Sequence, residues 1–297
     1  MTDMLTLIVN PIAGNGLAQK THERARAFLS GRAIEFSSFV TRAPGEAEAL
    51  CRSLAGKSGQ AVAVLGGDGT LNEVVNGLAQ SEITCLLVPC GTGNDFAKAM
   101  KLPKDPIAAL AAQLDAPDGY IDLGRMNDRI FANVSGIGFD VEVLRQTVRF
   151  KRLGRGILPY LCGVIAALFR FSPLHARVSL DGGPEAELRL TILSIGNGQY
   201  IGGGMKAVPN AVIDDGLFDA IAVEGIDSRL KIATLLPRFI SGTHAHLPLA
   251  HVARCKALTI RCPGMTVNLD GELIPCDTAE FSLLKNALRV RKSAQDT

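Results

Sequence analysis

Residues 61–76, AVAVLGGDGTLNEVVN, limit what this chain can fold into more than any other stretch. The apolar run 61–65 reads as a buried strand, and Leu71, Val74, Val75 and Leu78 recur at helical spacing. Gly66-Gly67-Asp68-Gly69-Thr70 is therefore the turn that joins strand to helix. Its glycines let the backbone approach a ligand closely, while the start of the helix presents unpaired N–H groups and the positive end of its dipole. Such a corner seats a phosphate. An ordinary glycine-rich turn would carry the same glycines, but Asp68 argues against that reading. A carboxylate where an anion should sit makes sense when a divalent cation bridges it to the phosphates.

The arrangement recurs along the first third of the chain. A strand over 5–10 runs into Pro11-Ile12-Ala13-Gly14-Asn15-Gly16, and the helix after it has its apolar side on Leu17, Ala25, Phe28 and Leu29. A strand over 34–40 ends at Thr41, and Ala47, Leu50, Cys51 and Leu54 mark the next helix. A short strand over 86–88 leads to Pro89-Cys90-Gly91-Thr92-Gly93-Asn94-Asp95, with helix again from Phe96. Four strands alternating with helices imply a parallel sheet, whose ligands bind outside the carboxyl ends of the strands. Asn10, Thr41, the turn from Gly66 and the turn from Gly91 are those ends. The pattern is neither G-x-G-x-x-G nor G-x-x-x-x-G-K-[ST], and no lysine lies in the turns. Backbone N–H groups, Thr and Asn side chains and a bound Mg2+ have to neutralise the phosphates.

Around Tyr120 the pattern changes. Segments 120–125, 129–134, 176–180, 188–195, 217–223, 257–261 and 265–269 read as strands, several joined by Asn-Asp or Asp-Gly-Gly turns. Helical spacing covers 140–149 and 227–240. The expectation is a nucleotide-binding α/β domain over 1–120 and a β-rich, largely antiparallel domain over 121–297, with a cleft between them and the last residues returning to the first domain.

A formal net charge of +2 without a dense Lys/Arg block argues against nucleic acid as a partner. Seven cysteines without a C-x-x-C pair read as reduced core residues, which points to the cytoplasm. His244 and His246 have no carboxylate or thiol in their loop and read as solvated rather than metal-bound. The segment 157–171, ILPYLCGVIAALFRF, falls short of the roughly 20 residues needed to span a bilayer. It reads as a core helix or as an interfacial one, since Arg149, Lys151, Arg152 and Arg155 before it suit an anionic membrane surface. Peripheral membrane contact is expected; a homodimer is left open.

Taken together, Asn10-Pro11 with Gly14 and Gly16, GGDGTLNEV from Gly66, PCGTGNDFA from Pro89, GIGFD from Gly136, GGGMKAVPNAVIDDGLFD from Gly202 and NLDGE from Asn268 resemble the diacylglycerol kinase catalytic domain family, specifically its soluble bacterial lipid kinases. GGDGT is shared with NAD kinases; PCGTGNDFA and DDGLFD make the match to the lipid kinases specific. The resemblance implies a Rossmann-like first domain with a parallel sheet, an antiparallel β-sandwich behind it, and ATP-dependent transfer of a phosphoryl group to a hydroxyl of a diacylglycerol-like lipid.

By position, the resemblance places the nucleotide on Asn10, Pro11, Ile12, Ala13, Gly14, Thr41, Gly66, Gly67, Asp68, Gly69, Thr70, Leu71, Asn72 and Thr92. It implies a structural Mg2+ held by Asp215 and the main-chain carbonyls of Val212 and Leu217, where the residues alone read as an Asp-Gly turn. Asp270-Gly271-Glu272 reads by itself as a hairpin turn, and the resemblance puts the proton-accepting carboxylate there, with Glu272 first and Asp270 as alternative or partner. Two rival readings are an NAD kinase-like phosphotransferase and a catalytically inactive nucleotide-binding regulator.

Overall fold

The structure, a computed structural model, describes residues 4–57, 59–150 and 157–292, with the backbone alone over 157–160. In chain order the elements are β1 (Met4–Val9), α1 (Leu17–Gly31), β2 (Phe36–Val40), α2 (Glu46–Leu54), β3 (Gln60–Gly66), α3 (Asp68–Leu78), β4 (Thr84–Pro89), α4 (Asp95–Ala99), α5 (Pro106–Leu114), β5 (Asp118–Met126), β6 (Arg129–Phe131) and β7 (Val134–Gly138). They continue with α6 (Phe139–Phe150), α7 (Ile157–Arg170), β8 (Leu174–Leu180), β9 (Ala186–Gly196), β10 (Phe218–Glu224), α8 (Arg229–Ser241), β11 (Ala250–Cys255), β12 (Ala257–Leu269) and β13 (Glu272–Arg291).

Among the described residues all thirteen strands belong to one hydrogen-bonded sheet. β1 pairs in parallel with β2 and β3, and β3 with β4. The pairings from β5 to β12 are antiparallel. The two regimes meet in β13, which runs antiparallel to β12 and β5 and parallel to β4, with Arg289 opposite Thr84. The expectation of two separate sheets is corrected here. β13 escapes a periodicity reading because Pro275, Asp277 and a register shift between Leu284 and Leu288 break its alternation.

Side-chain chemistry explains this layering. β1, β3 and β4 are apolar on both faces and carry helices on both. Leu7, Leu65, Leu86 and Val88 pack with Ala25 and Leu29 of α1, while Val62, Val64 and Leu87 pack with Val74, Val75 and Leu78 of α3. Each such residue contributes about 1.5–3 kcal/mol when withdrawn from water. In the antiparallel part, Phe131 stacks on Phe218 at 5.8 Å and meets Phe281 edge-on at 6.1 Å, which centres a second core between strands. A third core lies where Phe139, Val143, Val164, Ala167 and Ile232 of α6, α7 and α8 cover Ile192, Ile221 and Val223.

One expected strand, 129–134, is split into β6 and β7 at Ala132 and Asn133. Their amides turn away from the ladder to a side chain, and that side chain is Asp270. The expected helix from Phe96 is likewise short: α4 stops at Ala99, and α5 follows with Asp105 capping the amides of Ile107 and Ala108 at 3.0 and 2.9 Å.

Candidate active site

Three strand-end turns pack directly on one another. Asn10 Nδ2 donates to Thr70 Oγ1 at 3.0 Å, and its amide donates to the Leu65 carbonyl at 3.1 Å. The Cys90 amide donates to the Gly66 carbonyl at 2.8 Å. Gly67 and Gly91 lie backbone to backbone: a Cβ on Gly67 would stand 2.9 Å from Gly91 Cα, so neither position has room for a side chain. Asn94 closes the third turn, accepting from the Gly91 amide at 2.7 Å and donating to its carbonyl at 2.9 Å. Thr41 sits at the end of β2 with its amide and hydroxyl on the Val9 carbonyl.

Side-chain exposure around the corner is uneven. Ile12 is 82% exposed, whereas Thr70, Leu71 and Asn72 are buried. Thr70 and Asn72 therefore shape the corner from below, and Pro11, Ala13, Gly14, Gly69 and Thr92 form its open surface.

From this corner a cavity of about 440 Å³ runs into the second half of the chain. At its mouth stand Asp68, Thr92, Gly93, Asp95, Asp140, Asn268 and Asp270; its walls are apolar and include Val143, Ile192, Val223, Ile232, Leu236 and Phe239. It thus connects the phosphate-binding turns to a greasy interior. A 150 Å³ apolar cavity holds one benzene, so this one holds about three such volumes, the scale of one long alkyl chain.

The acids at the mouth are held in different ways. Asp68 Oδ1 accepts the Phe96 amide at 3.2 Å; burial and then the neighbouring charge of Asp95 raise its pKa. Asp95 accepts from Lys98 Nζ at 2.8 Å and from the Gly203 amide at 2.7 Å, tying the third turn to the glycine loop 202–204. Asp270 occupies the two-residue turn between β12 and β13 with φ +47°, and its carboxylate accepts the amides of Ala132, Asn133 and Val134 at 2.7, 3.2 and 3.0 Å. Loss of solvent pushes its pKa up to about 6 against those hydrogen bonds, with the charge of Asp68 adding to the rise.

Glu272 is placed otherwise. Its side chain is 55% exposed, lies 3.4 Å from Arg129, and is not among the cavity-lining residues. Of the two acids named from sequence, Asp270, inside the turn, lines the cavity, whereas Glu272, the first residue of β13, is exposed beside Arg129.

Among the described residues no group of three His, Cys, Asp or Glu side chains is arranged to hold a metal. Asp68 still fits a nucleotide-borne Mg2+, which takes one or two carboxylates plus phosphate oxygens and keeps its waters. Asp68 is the donor for it, since its hydrogen bond to the Phe96 amide uses Oδ1, whereas both oxygens of Asp95 are engaged by Lys98 and Gly203. The loop with Val212, Asp215 and Leu217 fits less well. Asp215 gives Oδ1 to the Leu217 amide at 3.1 Å and Oδ2 to the guanidinium of Arg254, which also reaches Asp219 at 3.3 Å. In this structure the loop is an ion-paired turn in which Arg254 binds the carboxylates of Asp215 and Asp219.

Several groups in the site were not singled out from sequence. Asp95, Asp140 and Asn268 lie within the family-like motifs, but nothing in their spacing shows that they meet. Lys98 follows the third turn by one helical turn, which is why a search of the turns for a lysine passes over it.

The sequence profile of the diacylglycerol kinase catalytic domain matches residues 4–126, and that of the YegS C-terminal NAD kinase beta sandwich-like domain matches residues 133–292. A diacylglycerol kinase of Mycobacterium tuberculosis is 35% identical over 292 residues, 96% of this chain and 94% of that protein. The chain belongs to this family. Among solved structures, a diacylglycerol kinase candidate from Bacillus anthracis superposes with a TM-score of 0.81 at 25% identity, over 99% of this chain and 98% of that one. An NAD kinase from Archaeoglobus fulgidus in complex with ATP reaches a TM-score of 0.55 at 12% identity, over 98% of this chain and 95% of that one. The second likeness is one of fold alone. Family members thus share the joined α/β and β-rich halves seen here.

Proposed function

We propose that this chain is a lipid kinase that transfers the γ-phosphoryl group of ATP to the hydroxyl of a diacylglycerol-like lipid, with the boundary between nucleotide and lipid parts near residue 120. The observation that carries the reading is continuity: the phosphate-binding corner opens directly into the apolar cavity, with four aspartates where the two meet. An NAD kinase has no use for a greasy cavity of this size, and a retired nucleotide sensor has none for the acids.

The main-chain amides of the turns at Asn10–Gly14, Gly66–Thr70 and Gly91–Asn94 cradle the phosphates, and Thr70 and Asn72 hold the corner's shape. Mg2+, when bound, draws charge from the phosphate oxygens, and Asp68 is the residue that would hold it. Lys98 adds positive charge at the rim. Asp270 takes the proton-accepting place in preference to Glu272: it lines the cavity, and its raised pKa of about 6 lies near that of a useful base.

Exposed Leu161, Ile165 and Phe169 form one stripe of α7, and Arg229 stacks on Phe169 at 5.2 Å. This face supports peripheral contact with an anionic membrane. Lys151, Arg152 and Arg155, part of the basic cluster read from sequence, lie outside the described residues. None of the described helices is long and apolar enough to cross a bilayer.

The test is a labelling assay with radiolabelled ATP, Mg2+ and either a lipid panel in mixed micelles or NAD. Label in diacylglycerol supports the reading; label in NAD, or in neither, overturns it.

A further inference from the structure

The position of Asp140 is costly to build. The side chain rises from the first turn of α6 into the space above Gly136, where any Cβ would overlap its carboxylate. Asn268 Nδ2 donates to Oδ2 at 3.1 Å, and Asn268 Oδ1 in turn accepts the Gly271 amide at 2.9 Å, so Asp140 is fixed to the same turn that carries Asp270. Oδ1 is shut off from solvent and has no hydrogen-bond partner, the only carboxylate oxygen in that state among the described residues. The residue lines the cavity. A buried acceptor left unmatched costs about 1–3 kcal/mol, and such a cost persists where a ligand removes it.

We propose that Asp140 is a positioning residue for the lipid: Oδ1 accepts a hydrogen bond from the hydroxyl to be phosphorylated, while one alkyl chain of the same molecule fills the cavity below. Asp68, Asp140 and Asp270 line one cavity with Val143, Ile192 and Phe239, and Asn268 joins Asp140 to the turn that carries Asp270. The other mouth acids are already committed: Asp95 to Lys98 and Gly203, Asp270 to three amides, Asp68 to Phe96. Of the four aspartates that line the cavity, Asp140 is the one with a buried carboxylate oxygen that accepts nothing. Asp140 holds the O–H in the resting complex only; when the oxygen bonds to phosphorus, its proton leaves for Asp270, the proton acceptor.

The inference rests on the lipid kinase reading, and a binding experiment separates the two. A fluorescent short-chain diacylglycerol and the matching diester lacking the hydroxyl are titrated, without nucleotide, into the wild type and Asp140→Asn. The amide keeps the shape and the contact to Asn268 but turns the acceptor into a donor. Wild type is expected to prefer the hydroxylated lipid by about 10- to 100-fold, the worth of a hydrogen bond to a charged group, and Asp140→Asn to bind both alike. In turnover the variant should raise the KM for lipid and leave the KM for ATP unchanged, a split that a merely structural role would not produce. Equal affinity of the wild type for the two lipids, or a preference that survives in Asp140→Asn, overturns the proposal; if the Asn variant does not fold, Asp140→Ser takes its place under the same criteria. Failure of the kinase reading shows separately, as a wild type that binds the hydroxylated lipid through Asp140 and phosphorylates none of the panel.

Discussion

The nucleotide corner and the lipid cavity are built on opposite principles. The corner is main chain: glycines at van der Waals distance, amides, and two buried side chains that brace them. The cavity is side chain: apolar residues from four helices and several strands, with aspartates among which Asp68 is repelled by Asp95 and Asp270 by Asp68. A phosphate chain is the same in every substrate, so a rigid backbone mould serves it, whereas a lipid is recognised by volume and by a few polar points. The first kind of site tolerates almost no substitution; the second is open to tuning.

That contrast can be broken at four points, from the largest expected effect to the smallest. Asp68→Asn removes the carboxylate that faces both halves, and kcat should fall about 10³-fold, or ~4 kcal/mol, while lipid affinity measured without nucleotide is unchanged. A fall in lipid affinity instead would put Asp68 in the cavity's account.

The second point is pH. Asp140 and Asp270 both have pKa values pushed up to about 6 by loss of solvent, from an ordinary 3.8. Between about pH 4 and pH 6 the folded state holds more protons than the unfolded one, so stability falls as pH rises through that window. Each group costs about 3 kcal/mol above it. In Asp140→Asn the fall between pH 4 and pH 7, followed by urea unfolding, should shrink by that amount; an unchanged slope would mean that the carboxyl is not desolvated.

Third, Gly91→Ala drives a methyl group into Gly67 Cα. It should cost about 1–3 kcal/mol of stability, read as a lowered Tm, and raise the KM for ATP without touching lipid binding. Fourth and smallest, Ile232→Val enlarges the cavity wall for about 0.5–1.5 kcal/mol of stability. It should shift the preferred acyl chain upward by one or two carbons in a chain-length series. No shift would show that the chain lies elsewhere.

The same contrast decides what the sequence discloses. Asn10, the Gly66–Thr70 turn and the Gly91–Asn94 turn are legible because each is a local pattern at the end of a buried strand, and the sheet brings such ends together without further instruction. Asp270 is legible only as one of two acids in a triplet; which of them enters the cavity depends on a left-handed turn and on three amides from 132–134. Asp95, Lys98, Asp140 and Asn268 meet through tertiary contacts that leave no periodic trace. β13 is hidden for a similar reason, since it is half-buried against different neighbours along its length and its polarity does not alternate.

β13 also sets a timetable. β4 is made early, but the strand that covers its outer edge, at Arg289 opposite Thr84, follows about 200 residues later. At ribosomal speeds of about 5–20 residues per second, the nascent α/β half spends roughly 10–40 s with a bare, strongly apolar edge. The first half of this enzyme therefore leaves the ribosome with its sheet incomplete, until the strand that pairs with Thr84 and Cys85 emerges.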